Sequence, residues 1–154
     1  MIIRLATTSD KLALETLINE AYHVSDFFKY EKRINQEKLA NCFNDGELLV
    51  SEADNELLGC IHWNAKGDNA YFGLLSVLPT KQKGGIGRLL IEEVEHRALK
   101  AGCMYMDIQI VNLREELFSY YTKLGYVQIS TEPFYTKTKL PCHFINMRKL
   151  LGKK

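Results

Sequence analysis

The sequence predicts an α/β domain built on a single mixed, mostly antiparallel central sheet of about seven strands, flanked by about four helices. Three observations lead there. Short apolar or alternating segments and segments of helical spacing follow one another in the order β-α-α-β-β-β-α-β-α-β-β. Three of the strands are consecutive and joined by short turn sequences, the pattern of an antiparallel meander. The last strand of that meander ends at Pro79 and runs through a basic, glycine-rich loop into a long helix. The 154 residues suit one domain over residues 1–150, with 151–154 expected to be a frayed tail.

Each element has its own signal. Residues 2–5 read as a first strand. Thr8 or Ser9 can cap the next helix, whose Ala13, Leu14, Leu17, Ile18 and Ala21 recur at helical spacing to about Tyr22. Residues 23–34 are aromatic and charged without periodicity. Phe27, Phe28 and Tyr30 there can pack on the core or wall a small-molecule site. A short helix over 35–43 turns Leu39 and Phe43 inward and ends at Asp45-Gly46. Strands follow at 47–53, 56–65 and 70–78, joined by the hairpin pair Asp54-Asn55 and by Lys66-Gly67-Asp68-Asn69.

A helix from Ile86 to about Ala101 carries Ile86, Leu90, Val94 and Ala98 on one face and a Glu93–Arg97 pair on the other. A strand over 103–111 should lie parallel to the one before the loop. Asn112 can cap a helix over 113–124, with Leu117, Tyr120, Tyr121 and Leu124 inward. Strands at 126–131 and 142–149 complete the chain, separated by Pro133-Phe134 and a polar loop.

Composition narrows the function. Apolar residues make up 46% and charged residues 25%, an ordinary soluble balance. The net charge of +1 gives no broad polyanion-binding surface, so nucleic acid is not expected as a partner. No apolar run nears the ~20 residues of a membrane span, and Met1-Ile2-Ile3-Arg4 has no signal-peptide profile. Neither membrane association nor export is therefore expected, and the cytoplasm is the expected location. Cys42, Cys60, Cys103 and Cys142 lie in apolar patterns, read as reduced core thiols. Cys60-x-His62 and Cys142-His143 match no familiar zinc spacing, and no metal is expected.

The chemistry concentrates in Leu75-Ser76-Val77-Leu78-Pro79-Thr80-Lys81-Gln82-Lys83-Gly84-Gly85-Ile86-Gly87-Arg88. Glycines allow close backbone approach, and a helix start offers about four unpaired N–H groups with partial positive charge. Lys81, Lys83 and Arg88 add full charges. This is a cradle for a phosphate-bearing ligand. A P-loop is absent. The dinucleotide fingerprint fits only two of its three glycines, because Leu90 holds the third place.

Gln82-x-x-Gly85-x-Gly87 after a strand ending Val77-x-Pro79 resembles the acyl-CoA signature of the GCN5-related N-acetyltransferase (GNAT) superfamily. The element order is also that family's. Asn112-Leu113-Arg114-x-Glu116-Leu117-x-x-Tyr120-Tyr121-x-x-x-Gly125-Tyr126 is similar to its later helix motif, so the resemblance covers nearly the whole chain.

The resemblance implies direct transfer of an acetyl group from acetyl-CoA, as co-substrate, to an amine of a small molecule or peptide. A sensor that binds acetyl-CoA without catalysis is the alternative. It implies that the amides of Gln82, Lys83, Gly84, Gly85, Ile86, Gly87 and Arg88 hold the pyrophosphate. Leu75, Ser76 and Val77 would pair with the pantetheine arm, and Asn112 would approach it. Tyr121 matches the position of the tyrosine that protonates the departing sulfur, and Tyr120 reads as packing. A homodimer is compatible with the family.

The general base departs from many relatives. The strand Tyr71-Phe72-Gly73-Leu74-Leu75-Ser76 lacks the glutamate they carry. His62, Glu116 and His143 are substitutes. The topology favours His143, and deprotonation through water is equally open.

Overall fold

The computed structural model describes residues 1–152. Its strands are β1 (Ile2–Leu5), β2 (Glu47–Ala53), β3 (Glu56–Lys66), β4 (Asn69–Val77), β5 (Tyr105–Val111), β6 (Val127–Pro133) and β7 (His143–Leu150). Its helices are α1 (Lys11–Ala21), α2 (Gln36–Asn44), α3 (Ile86–Lys100) and α4 (Glu115–Lys123). The strands form one seven-stranded sheet in the order β1-β2-β3-β4-β5-β7-β6. Every neighbouring pair is antiparallel except β4 and β5, as expected of a meander followed by a strand–helix–strand crossover.

The turns form for local reasons. Asp54 and Asn55 both take positive φ (52° and 62°), the conformation a two-residue hairpin requires and short Asp and Asn side chains tolerate. The entry to α1 differs from the expected Thr8 or Ser9 cap. A 3-10 turn over Thr8–Asp10 precedes the helix, and Asp10 Oδ2 accepts a hydrogen bond from the Thr7 N–H at 2.8 Å. Arg4 clamps the same carboxylate at 2.9 and 3.1 Å, fixing β1 to the helix start.

The sheet is covered on both faces. On one side Leu90, Ile91, Val94 and Ala98 of α3 pack on Trp63, Phe72 and Met106. On the other, Leu14, Leu17 and Ile18 of α1 and Leu39 of α2 pack on Leu48, Val50 and Leu74. Phe72 and Leu74 would share a face in a regular strand. They do not here, because β4 carries an extra residue opposite β3. Cys60 pairs with Ser76 but His62 with Gly73, and Leu74 takes φ +55°. The bulge reverses the inward side of β4 and bends the strand.

That bend positions the site. β4 pairs with β5 only from Asn69–Tyr71 to Tyr105–Asp107, and the strands then part. β5 stays with β7 along its whole length, from Tyr105–Leu150 to Val111–Phe144. A cleft opens between the C-terminal halves of β4 and β5, lined by Gly73, Leu74 and Leu75 on one side and Ile108, Ile110 and Val111 on the other.

Below the cleft, Tyr126 donates to Glu95 Oε2 at 2.7 Å, and Lys149 bonds the same carboxylate at 3.0 Å, locking α3 to β7. At the C-terminus, the tail expected to fray from 151 onward is held at its first residue. The Leu151 N–H donates to Met104 O at 2.7 Å. The rest of that expectation, at Lys153 and Lys154, lies outside the described residues.

Candidate active site

β4 ends at Val77, and Pro79–Lys81 makes a 3-10 turn with the Lys81 N–H donating to Leu78 O at 2.8 Å. Gln82 then folds back, and its Nε2 donates to Val77 O at 3.1 Å. This ties the loop to the strand end and gives the glutamine of the motif a structural reason. Lys83 and Gly85 take positive φ (71° and 85°), and α3 starts at Ile86. The amides of Ile86, Gly87 and Arg88 have no acceptor among the described residues. They point their partial positive charge out of the helix start.

Gly87 sits at the helix start with room beside it. It is helical, so backbone conformation does not require glycine. A Cβ built there would meet only ordinary contacts, Val77 Cγ2 at 3.7 Å and the Tyr120 hydroxyl at 3.9 Å. Packing does not exclude a side chain either. The space beside the helix start is therefore open, as close approach of a ligand there would require.

Beside the cradle, the β4 backbone beyond Tyr71 has no β5 partner, which leaves an open sheet edge along Leu75 and Val77. The Ser76 side chain faces inward, is buried and donates to Leu74 O at 3.0 Å.

Tyr121 closes the inner end of the cleft. Its ring packs against Phe72 and Tyr126, with centroids 6.1 and 5.7 Å away. It is 6% exposed, and its hydroxyl has no hydrogen-bond partner among the described residues. Ser51 Oγ is the one fully enclosed side-chain polar atom without a partner there, so the Tyr121 hydroxyl keeps access to the cleft. Burial pushes its pKa above the ordinary tyrosine value, with Tyr22 and Tyr120 adding to the shift. Tyr120, expected to face inward, is instead 38% exposed at the cradle.

The candidate bases fall in different places. His62 is buried on β3 and its Nε2 bonds Asp45 O, a structural role. Glu116 bonds Arg114 Nε at 2.6 Å on the exposed side of α4. Burial raises its pKa, but the bonds from Arg114 and its own backbone amide outweigh this and lower it. His143 is exposed at the start of β7, and Phe144, the next residue, faces the cleft. Asn112 does not cap α4, whose cap position is held by Arg114. Its Oδ1 accepts instead from the His143 N–H at 2.8 Å.

Phe28 lines the cleft and is 1% exposed, whereas Phe27 and Tyr30 are 51% and 63% exposed and lie outside that lining. Sequence reasoning missed a second aromatic wall. Phe134, Tyr135 and Phe144 stack at 4.6–5.5 Å, and Phe28 meets Phe134 at 6.4 Å. The adjacent pair Phe134-Tyr135 beside Pro133 was its visible signal. Lys29 and Arg33, also on the cleft, were hidden in a charged stretch without periodicity.

A family profile described as acetyltransferase (GNAT) domain matches residues 15–151. The chain belongs to the GNAT acetyltransferase family. Its fold is shared with solved structures of low sequence identity. A ribosomal-protein-alanine N-acetyltransferase from Brucella melitensis superposes with TM-score 0.80 at 20% identity, over 97% of this chain and 99% of that one. The protein smu.2055 from Streptococcus mutans gives 0.85 at 17% identity, over 99% and 100%. The yncA protein from Salmonella typhimurium, solved with its cofactor acetyl-CoA, gives 0.78 at 19% identity, over 100% and 95%. No curated protein sequence matches the chain.

As a GNAT acetyltransferase the chain uses acetyl-CoA as its co-substrate, and the residues present fit that molecule. The free amides at the start of α3 and the clear space over Gly87 suit a pyrophosphate, and the open β4 edge suits an amide-bearing arm. Among the described residues no helix is long and apolar enough to cross a membrane, and no group of side chains could hold a metal ion.

Proposed function

We propose that this enzyme acetylates the amine of a small molecule, with Tyr121 as the group that meets the departing sulfur. The observation that carries this reading is the Tyr121 hydroxyl. It is largely desolvated and unpartnered among the described residues, and its residue lines the cleft between β4 and β5.

In this reading the amides of Gln82 to Arg88, with Lys81 and Lys83 beside them, hold the pyrophosphate. Backbone groups of Leu75, Ser76 and Val77 align the pantetheine arm along the free edge of β4. The side-chain nitrogen of Asn112, Nδ2, which has no protein partner among the described residues, reaches the same arm. The acceptor's nitrogen lone pair forms the C–N bond to the thioester carbonyl carbon as the C–S bond breaks. The sulfur leaves with the electron pair and takes a proton from the Tyr121 hydroxyl. Water re-protonates the phenolate and takes the proton shed by the nitrogen.

Proton transfer from a buried phenol is reasonable only if the thiol is basic too. Burial makes it so, as Cys60 illustrates. Desolvation pushes that buried thiol up to about 12, opposed by the neighbouring Ser76 hydroxyl. Cys60 lies on the opposite face of the sheet from Tyr121, but a sulfur departing in a desolvated cleft meets a penalty of the same kind, which raises its basicity towards that of the phenol.

Water is the proton acceptor because no carboxylate or histidine lines the cleft among the described residues. The small size of the acceptor is supported by how the cleft is walled. The Lys139 N–H donates to Phe28 O at 2.8 Å, and Lys139 Nζ bonds Asp26 O at 2.9 Å. Lys29 and Thr138 form a β-bridge. These bonds draw the β6–β7 loop against the α1–α2 segment beside Phe28 and Lys29, which line the cleft, and so wall its flank. The four free cysteines suit a reducing compartment, and we place the enzyme in the cytoplasm.

The test is release of free thiol from acetyl-CoA with a panel of small amines, products being identified by mass. Acetylated small amines support the reading. Thiol release with peptide acceptors alone would overturn the small-molecule assignment.

A further inference from the structure

The charged side chains that line the cleft all have one sign. They are Lys29, Arg33 and Arg114, and among the described residues no carboxylate joins them. Arg114 is committed, to Glu116 at 2.6 Å and to Ser25 Oγ at 3.0 Å. Lys29 and Arg33 have no ion-pair partner among the described residues. Arg33 lies over the Tyr22 ring with its guanidinium 5.1 Å from the centroid, which holds it in place and leaves its donors free.

Both cations also line the adjoining outer cavity, so they stand where the two spaces meet. Acidic groups do face that outer cavity. Asp26 is paired with His23, and Glu20 and Glu31 are exposed. None of the three lines the inner cleft.

We propose that the acceptor is an amine that also carries an anionic group, a carboxylate or a phosphate, and that Lys29 and Arg33 bind that group. This rests on the acetyl-transfer reading above. An acceptor with several positive charges would face three cations and no counter-charge in a partly desolvated space. An anion on the acceptor pairs with Lys29 and Arg33 through charge-assisted hydrogen bonds and leaves its amine end directed towards Tyr121.

The same cations help the chemistry. Positive neighbours favour the neutral form of an amine, the form that attacks. Lys29 itself responds this way. Its pKa lies below the ordinary lysine value through burial first, then Arg33 and Lys38, against weaker opposing pulls from Glu31 and Asp26. A cleft that disfavours ammonium ions reduces the need for a dedicated base.

The experiment is a comparison of kcat/KM on matched acceptors with saturating acetyl-CoA. The panel is the proteinogenic L-amino acids, their carboxamides, 2-aminoethylphosphonate, putrescine and spermidine. Wild-type enzyme should favour carboxylate or phosphonate amines over the carboxamides by about tenfold or more, the two anion arms deciding which group is bound. Arg33→Gln and Lys29→Gln should each raise the KM of the anionic acceptor about tenfold while the KM of acetyl-CoA stays within about threefold. Preference for carboxamides or polyamines, or a loss falling on acetyl-CoA in the folded variants, would overturn the proposal and leave acetyl transfer standing. Acetyl-CoA binding with no acetylated product from any amine would overturn the acetyl-transfer reading, and this proposal with it.

Discussion

Asn112 and His143 hold each other across the open end of the sheet. Asn112 Oδ1 accepts from the His143 N–H at 2.8 Å, and the Asn112 N–H donates to His143 O at 3.0 Å. The pair extends the β5–β7 ladder past Val111 at the point where β4 has turned away. One side chain thus braces a cleft wall with its oxygen while its nitrogen stays free. The two roles separate on mutation. Asn112→Ala should cost about 1 kcal/mol of stability, the usual net value of such a bond. Asn112→Asp keeps the acceptor and should keep the stability, but should raise the acetyl-CoA KM. Thermal unfolding and kinetics on both variants check this.

Gly87 gives a prediction with opposite signs for folding and binding. Alanine is a better helix former than glycine by up to about 1 kcal/mol, and the Cβ has room. Gly87→Ala should therefore unfold at the same or higher temperature than wild type. Acetyl-CoA should bind at least about tenfold more weakly, because the methyl group stands where the ligand must come close. Titration calorimetry beside a melting curve measures both.

The Arg4–Asp10 clamp sets a pH dependence. The hydrogen bond from Arg4, opposed by burial and aided by the Thr7 amide, holds the Asp10 pKa below the ordinary carboxylate value. A depressed carboxylate contributes stability above its unfolded pKa of about 3.9, lost as pH falls through the folded value. Arg4→Gln should cost roughly 1–2 kcal/mol at pH 7, and the gap should shrink below about pH 4. Denaturant unfolding across pH reads the difference, and a gap independent of pH would remove the clamp.

His143 separates the two routes for the acceptor proton. Its ring is exposed and the cleft is lined by its neighbour Phe144. With water as the acceptor of the proton, His143→Gln should leave kcat within about twofold at each pH. A fall of tenfold or more with an unchanged acetyl-CoA KM would restore His143 as the base, since general base catalysis contributes about 10²–10⁴-fold.

Much of this was legible in the sequence because it is local. The seven strands and four helices, the Asp54-Asn55 hairpin and the glycine loop each announce themselves within about a dozen residues. The bulge at Leu74 was not legible, since Leu74-Leu75 is as apolar as any buried strand. The reversal of the inward side appears only through pairing with β3. The helix cap that the sequence allows at Asn112 does not form, and its actual partner, the His143 amide, was not legible because it lies 31 residues away. The cationic side of the cleft was invisible for the same reason. Lys29 and Arg33 look like solvated charges until β4 and β5 part beside them.

In the proposed mechanism everything turns on Tyr121 as the group that protonates the departing sulfur. Tyr121→Phe removes one hydroxyl that has no protein partner among the described residues and keeps the packed ring, so the fold should be unaffected. The decisive measurement is kcat of Tyr121→Phe under saturating acetyl-CoA and acceptor, beside the dissociation constant for acetyl-CoA. A fall in kcat of about 10²-fold, the low end for general acid catalysis, with affinity changed by less than about threefold is the expected result. An unchanged kcat in the folded variant would rule out Tyr121 as the proton donor.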